Sequence, residues 1–406
     1  MKTYIFLTNL LGGYFGGPSY VLNKKMWLEQ HGWKVIAFDT TGHNKRPINY
    51  NEFNEYKNNR IEELFYHPSW YNKKTRNHVI NIIISKCPKE SNEIVIESNT
   101  TILAEWGEII AERINAKHLI YLIAENVKIS NINEFNFLYH KYKNNELFSI
   151  SAKAFQSLWG DYIKVEDANM HYWNAMSITQ PQDVKSTDLD SVKNADITIT
   201  HFGRFKEYVP DVIKELCLFA ENHNDKTINV IFFGIKSLSS LYTQQLEQNN
   251  NIHLYLFDST FPIPQKIFQI SDVVIATAGC ASISIRQGTK TVSYNVETNL
   301  PLGVMRYTTV QSSFSDPRKE DINQPLNKIL DDILINKIYN CPEPLGLPVY
   351  EKGYEYHISF VNNKKHYYKN ILKIDYYKTI NGLIQRILCK IGLVHIASLM
   401  RYLRYK

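Results

Sequence analysis

Two segments of the sequence combine residue types that bind phosphate. In the first, Gly203, Arg204 and Lys206 follow a predicted strand, and an arginine fork beside a lysine charge suits phosphate oxygens. In the second, small residues stand where a helix is predicted to begin, and backbone N–H groups at a helix start bind anions. The predicted phosphate-binding residues are Gly203, Arg204, Lys206, Gly279, Cys280, Ala281 and Ser282. Alternatively, Arg204 is a surface residue at a strand end.

A glycine-rich segment follows the first predicted strand. Glycines at 12, 13, 16 and 17 would let the backbone approach a phosphate or a sugar, and the next helix would present its positive end. The spacing is not the dinucleotide-binding fingerprint, and a flexible strand-to-helix turn is the alternative. Gly16 and Gly17 are included in the predicted binding site, together with Gly234 at the end of a later apolar strand.

Acids that follow predicted strands are candidates for proton transfer or ligand contact. Glu125 comes after the strand at 118–124 and is the candidate general base, although such an acid is often a helix cap or loop residue. Asp39 is a weaker candidate. Glu297 follows the strand at 290–294, where it either contacts a ribose hydroxyl or is a solvated loop acid.

The sequence indicates no metal site and no disulfide framework. The histidines are dispersed, and the five cysteines are odd in number, far apart and without a C-x-x-C pair. Asp188 and Asp190 form an Asp-x-Asp pair only in a polar segment away from any predicted strand. We expect a metal-independent protein without a bound cofactor.

Two successive runs of alternating strands and helices must position these residues. The first run has predicted strands at 2–9, 33–39, 93–96 and 118–124, with helices at 19–31 and 101–114. The second has strands at 197–201, 228–233, 252–257, 273–276 and 290–294, with helices at 209–222, 238–248, 263–270 and 280–287. A polar, turn-rich stretch at 179–187 lies between the two runs.

This alternation predicts an α/β protein with two Rossmann-like, parallel-sheet domains. We predict one domain at residues 1–180, a second at 181–345, and a C-terminal helical segment at 346–406. Because such sheets bind ligands at the carboxyl ends of their strands, we expect a ligand site in a cleft between the two domains.

The quoted segments resemble those of GT-B glycosyltransferases, particularly the family-four-like retaining enzymes of bacterial polysaccharide synthesis. Gly16-Gly17 before a helix and Gly32-Trp33-Lys34-Val35 after it are similar to the opening of these enzymes. Gly203-Arg204, the strand ending at Gly234 and the strand at 271–276 are similar to motifs of their second half. The resemblance covers most of residues 1–310.

The resemblance implies a fold and a function. It implies a GT-B fold in which Arg204 and Lys206 hold the donor diphosphate, while Gly16 and Gly17 lie against the phosphates and the transferred sugar. The implied activity is hexosyl or related transfer from a nucleotide-sugar co-substrate to a glycan or lipid-linked acceptor. The implied role is synthesis of a bacterial surface polysaccharide, either capsule or lipopolysaccharide.

The sequence also departs from this family in ways that leave other functions open. Two glutamates of many retaining enzymes are missing near Ser282, and Pro210-Asp211 replaces the usual Lys-Gly pair. Retention and inversion both stay open. The alternatives are a GT-B-fold nucleotide-sugar epimerase, which would need acids and a histidine at its site, and a non-catalytic GT-B partner subunit.

The C-terminal tail carries most of the net charge of +6. No acid follows Asp375, whereas six cations do; the remaining chain is close to neutral, which argues against nucleic-acid binding. Apolar residues recur at helical spacing at Ile384, Ile387, Leu388 and Ile391, and again at Ile396, Leu399, Met400 and Leu403. The pattern predicts two short basic amphipathic helices that contact an anionic membrane surface through Arg386, Lys390, Arg401 and Arg404.

The alternative for this tail is a terminal helix packed on the N-terminal domain. The first residues resemble a signal peptide only superficially, and no apolar run is long enough to span a bilayer. We therefore expect a cytoplasmic protein, peripheral on the inner face of the cell membrane.

Overall fold

The computed structural model divides the chain into two compact units. One contains Met1–Ser177 with Val349–Lys406, and the other contains Ile178–Pro348. The described residues are 1–12, 16–40, 51–125, 127–173, 176–185, 187–313, 324–346, 348–360, 364–374 and 380–404. Gly13, Asp375, Lys378 and Lys406 lie outside them.

A parallel five-stranded sheet forms the centre of the first unit, in the order β2-β1-β3-β4-β5. The strands are β1 (Lys2–Thr8), β2 (Trp33–Asp39), β3 (Glu93–Ser98), β4 (Lys117–Leu122) and β5 (Leu147–Ser149). Every residue of β1 from Thr3 onwards is buried, as expected for a central strand covered on both faces. The short strand β5 was not predicted from the sequence.

Helices connect these strands and cover the sheet. They are α1 (Gly16–Gln30), α2 (Lys73–Lys86), α3 (Thr101–Ile114), α4 (Ile132–Lys143) and α5 (Ala152–Trp159). The side chain of Thr100 caps α3, and Asn115 ends it in the left-handed conformation. Helix α1 begins at Gly16, earlier than predicted.

The second unit contains a six-stranded sheet in the order β11-β10-β9-β6-β7-β8. Its strands are β6 (Ile197–Phe202), β7 (Ile228–Phe233), β8 (Ile252–Phe257), β9 (Val273–Ala276), β10 (Thr291–Tyr294) and β11 (Pro301–Val304). All neighbouring strands are parallel except β11, which runs antiparallel to β10 and was not predicted.

The helices of the second unit follow its strands. They are α6 (Thr187–Asp190), α7 (Val209–Asn222), α8 (Ser240–Glu247), α9 (Lys266–Ile270), α10 (Ala278–Arg286) and α11 (Leu326–Leu330). The predicted helix at 263–270 loses its first turn because the backbone there pairs with another segment. Gln182 N donates to Ile263 O, and Gln265 N donates to Gln182 O.

The chain then returns to the first unit through α12 (Glu351–Phe360), α13 (Ile380–Lys390) and α14 (Val394–Arg404). Ile371 and Ile374 between these helices are buried in its core, as are Cys389 and Ala397. Among the described residues, no helix is both long and apolar enough to cross a membrane.

Candidate functional site

The predicted phosphate-binding residues of the second unit meet at the carboxyl edge of its sheet. Strands β9, β6 and β7 are neighbours in the sheet and end at Ala276, Phe202 and Phe233. Backbone pairing continues one residue further, because Gly203 N donates to Phe233 O and Gly234 N donates to Phe257 O, both at 2.9 Å. The loops that follow these three adjacent strands therefore lie next to one another at the carboxyl edge of the sheet.

Backbone conformation favours glycine at both Gly203 and Gly234, and the close approach of two of these loops requires glycine at 234. Their φ angles of +141° and +104° are rarely adopted by residues with a side chain. A Cβ atom on Gly234 would lie 2.8 Å from Gly203 O, whereas one on Gly203 would lie 3.7 Å from Cys280 Sγ. The loop after β6 thus lies against both the loop after β7 and the first turn of α10.

Two cationic side chains lie near the first turn of α10. Lys206 is half-buried, and its Nζ donates to Thr277 Oγ1 at 3.1 Å. Arg204 is exposed. Burial raises the pKa of the Cys280 thiol to about 11, and the positive charges of Lys206 and Arg204 oppose this rise. Both cations are therefore close enough to α10 to act on its first turn.

The first turn of α10 has the backbone arrangement of an anion site. Ala278 has a φ of 51°, which is costly for a residue with a side chain, and its N–H donates to Ser312 O. The helix start carries a partial positive charge, and following N–H groups lack partners within the helix. Together with two cations, this arrangement favours a group with several negative charges, such as a diphosphate.

The other residues predicted around α10 differ in exposure. Gly279, Cys280 and Ser282 are half-buried, whereas Ala281 is fully buried and packs in the core. Ala281 can therefore offer a ligand only its backbone. Glu297 is exposed in the turn after β10, where its N–H donates to Asn295 Oδ1 at 2.9 Å. Since β10 is parallel to β9, this turn lies at the same sheet edge.

Comparison with solved structures identifies the fold. A glycosyltransferase from Rickettsia africae ESF-5 has a TM-score of 0.54 and 12% identity, covering 99% of this chain and 98% of that one. The protein has a GT-B glycosyltransferase-like fold. The prediction of two α/β units built on parallel sheets is therefore confirmed.

Two further structures are similar at lower scores. The lipopolysaccharide outer core galactosyltransferase WaaB, in its apo form, has a TM-score of 0.48 and 11% identity, covering 95% of this chain and 99% of that one. S. aureus MnaA, solved with UDP, has a TM-score of 0.46 and 12% identity, covering 91% and 100%. No protein-family model and no curated protein sequence matches the chain.

Sequence reasoning missed the residues that support the loop after β6. His201 Nε2 lies 3.0 Å from Tyr208 Oη, and Tyr208 stacks on Tyr294 with ring centroids 4.9 Å apart. Burial, with a smaller effect of Lys206, lowers the pKa of His201 to about 3, so this histidine is neutral at physiological pH. Thr277, which holds Lys206, directly follows a strand, and that position was the available signal.

The remaining predicted residues belong to the first unit. Gly16 and Gly17 form the first turn of α1, where a Cβ atom on Gly17 would lie 2.7 Å from Leu10 Cδ2. A larger residue at 17 would therefore require the Leu10 side chain to shift. Glu125 is half-buried just beyond β4, and Asp39 is buried with Oδ2 3.6 Å from Arg60 Nε. The roles of Gly16, Gly17 and Glu125 stay predictions.

The first unit also contains a buried polar cluster that was not predicted. Lys24 Nζ lies 2.6 Å from Glu97 Oε2 and 2.9 Å from His357 Nδ1, and all three side chains are buried. The hydroxyls of Tyr4 and Tyr20 donate to Glu97 at 2.6 and 2.8 Å. A glutamate inside a buried strand needs such partners, which was the overlooked signal. No group of potential metal ligands occurs in the part of the chain that the structure describes.

Proposed function

We propose that the protein is a glycosyltransferase that uses a nucleotide-sugar donor. The observation that carries this proposal is the anion site of the second unit. There, Arg204, Lys206 and the first turn of α10 converge beside two close-packed glycine loops. A diphosphate leaving group matches this concentration of positive charge, and the GT-B fold agrees with it.

In the proposed reaction, an acceptor hydroxyl bonds to the anomeric carbon of the sugar as the bond to the diphosphate breaks. Arg204, Lys206 and the N–H groups of α10 neutralise the charge on the departing diphosphate. These groups would supply the positive charge without a metal ion. In an inverting reaction, Glu125 would receive the acceptor proton.

We further propose hexosyl or related transfer to a glycan or lipid-linked acceptor in capsule or lipopolysaccharide synthesis. The motif resemblance to bacterial polysaccharide enzymes supports this assignment. We place the protein in the cytoplasm, on the inner face of the cell membrane, and its five free cysteines fit a reducing compartment.

Following nucleotide sugars by NMR tests the reaction. Incubation of UDP-, GDP- and dTDP-hexoses with lipid-linked glycan acceptors should release nucleoside diphosphate and form a new glycosidic bond. Arg204→Ala should abolish most of this turnover, whereas Lys226→Ala, at the opposite edge of the same sheet, should not. Conversion of the donor to its epimer without acceptor would identify an epimerase. Binding without any turnover would indicate a non-catalytic partner subunit.

A further inference from the structure

Helices α13 and α14 pack on the first unit through small side chains. Cys389 in α13 and Ala397 and Ser398 in α14 are buried, and the two helices contact the segments Glu62–Phe65 and Pro68–Trp70. Asn72 Nδ2 also donates to the carbonyl of Lys390 at 2.9 Å. The half-buried side chains of Leu388 and Val394 pack against the same core. The helices are therefore docked on the core through one face only.

Most of the large apolar residues described in this helix pair are exposed rather than packed on the core. Eight aliphatic side chains of this segment are exposed: Ile380, Leu383, Ile384, Ile387, Ile391, Leu393, Ile396 and Leu399. In α13, Ile380, Ile384 and Ile387 recur at intervals of three and four residues and continue to Ile391, which places them on the side opposite Cys389. A helix stabilised only by the core would bury this face.

The charge of the same segment is uniformly positive. Six lysines and arginines follow Asp375 without any acid. On a helical projection, Lys390 lies beside the exposed apolar stripe and is itself exposed. Arg386 is half-buried and lies nearer to the packed side, where burial and, to a smaller extent, the Arg386 charge lower the pKa of His67. Each helix has 11 residues, about 16 Å, which is too short to span a bilayer.

We propose that the outer face of α13 and α14 binds the surface of an anionic lipid bilayer. The exposed aliphatic side chains enter the boundary between headgroups and acyl chains, while Lys390 beside them contacts lipid phosphates. Charge complementarity favours this occupant over a second copy of the chain. A symmetric contact through this face would bring together two copies of a segment that carries cations but no acid after Asp375.

Vesicle sedimentation with full-length protein tests the apolar contribution. Wild type should pellet with vesicles of phosphatidylglycerol and phosphatidylcholine, and the double variant Ile384→Asn, Ile387→Asn should bind at least about tenfold more weakly. The matched control is Leu241→Asn, Ile338→Asn, which alters two side chains of the second unit that are 59% and 60% exposed. This control should bind like wild type.

Further measurements test the contribution of charge to vesicle binding and whether the chain associates with itself. Lys390→Gln should weaken binding about fivefold at low salt, and high salt or pure phosphatidylcholine should have a larger effect. Equal pelleting of wild type and the Ile384→Asn, Ile387→Asn variant would overturn the proposal. Absence of vesicle binding by wild type would also overturn it. So would light scattering that shows wild type as an oligomer and the double variant as a monomer. Circular dichroism of the variant should be unchanged, because both positions are exposed.

Discussion

At the scale of single residues, the two cations of the candidate site differ in how they are held. Lys206 is oriented by Thr277, whereas Arg204 is exposed and can reach a ligand. Both positions could be predicted, because a glycine, an arginine and a lysine after a strand have a direct chemical meaning. Thr277 could be noticed as a polar residue directly after a strand, but its contact with Lys206 could not be predicted, since that contact depends on strand β9 ending beside β6.

Neutral His201 predicts a pH dependence of the second unit. Because its pKa is lowered to about 3 in the folded state, the unfolded chain takes up a proton first as the pH falls below about 6.5. Stability is therefore lost as the pH falls from 6.5 towards 3. When the pH is lowered from 7.5 to 5, the free energy of unfolding measured in urea should fall by about 2 kcal/mol less in the His201→Gln variant than in wild type. Identical pH dependence would contradict this assignment.

At the scale of elements, the glycines after β6 and β7 allow a matched comparison. Both have positive φ angles, but only Gly234 would place a Cβ atom against backbone, 2.8 Å from Gly203 O. Gly203→Ala should destabilise the second unit by about 1–2 kcal/mol, and Gly234→Ala by clearly more, because the clash adds to the strain. Thermal unfolding of the two variants measures the difference, and equal losses would refute the close approach of the loops.

The elements that were predicted well are those with strong local signals. Helix α3 was predicted with its observed bounds because Thr100 and Asn115 mark its ends and its apolar face is regular. Strand β5 was missed because its three residues carry too little pattern. Strand β11 was missed because Pro301 and Gly303 are untypical of a strand. The start of α9 was misplaced because pairing with Gln182 overrides local helical preference.

At the scale of the whole molecule, segments distant in sequence build the first unit together. His357 in α12 contacts Lys24 in α1, which pairs with Glu97 in β3. A sequence pattern does not show such long-range partners. Core packing and membrane contact of the tail were treated as alternatives, although helices α13 and α14 have both a side packed on the core and an exposed apolar side.

Breaking the buried ion pair should weaken the first unit as a whole. Burial lowers the pKa of Lys24, and Glu97 opposes this shift. Lys24→Met should cost about 3 kcal/mol, because it leaves a buried carboxylate without its cation, and adding Glu97→Gln should restore part of the loss. The neighbouring Lys25 on α1 pairs with exposed acids, so Lys25→Met should lower the free energy of unfolding by less than about 1 kcal/mol. Urea unfolding checks this order, and equal costs for the two lysines would contradict it.

Calorimetric titration with UDP, GDP, ADP and dTDP tests the central claim most directly, because it asks whether the second unit binds a nucleoside diphosphate at the described site. At least one of these should bind wild type, and Arg204→Ala should weaken its binding by about 2 kcal/mol, roughly thirtyfold. Lys206→Ala should have a similar effect, whereas Lys226→Ala should bind like wild type. Unchanged affinity in folded Arg204→Ala and Lys206→Ala variants, or no binding by wild type, would contradict the account.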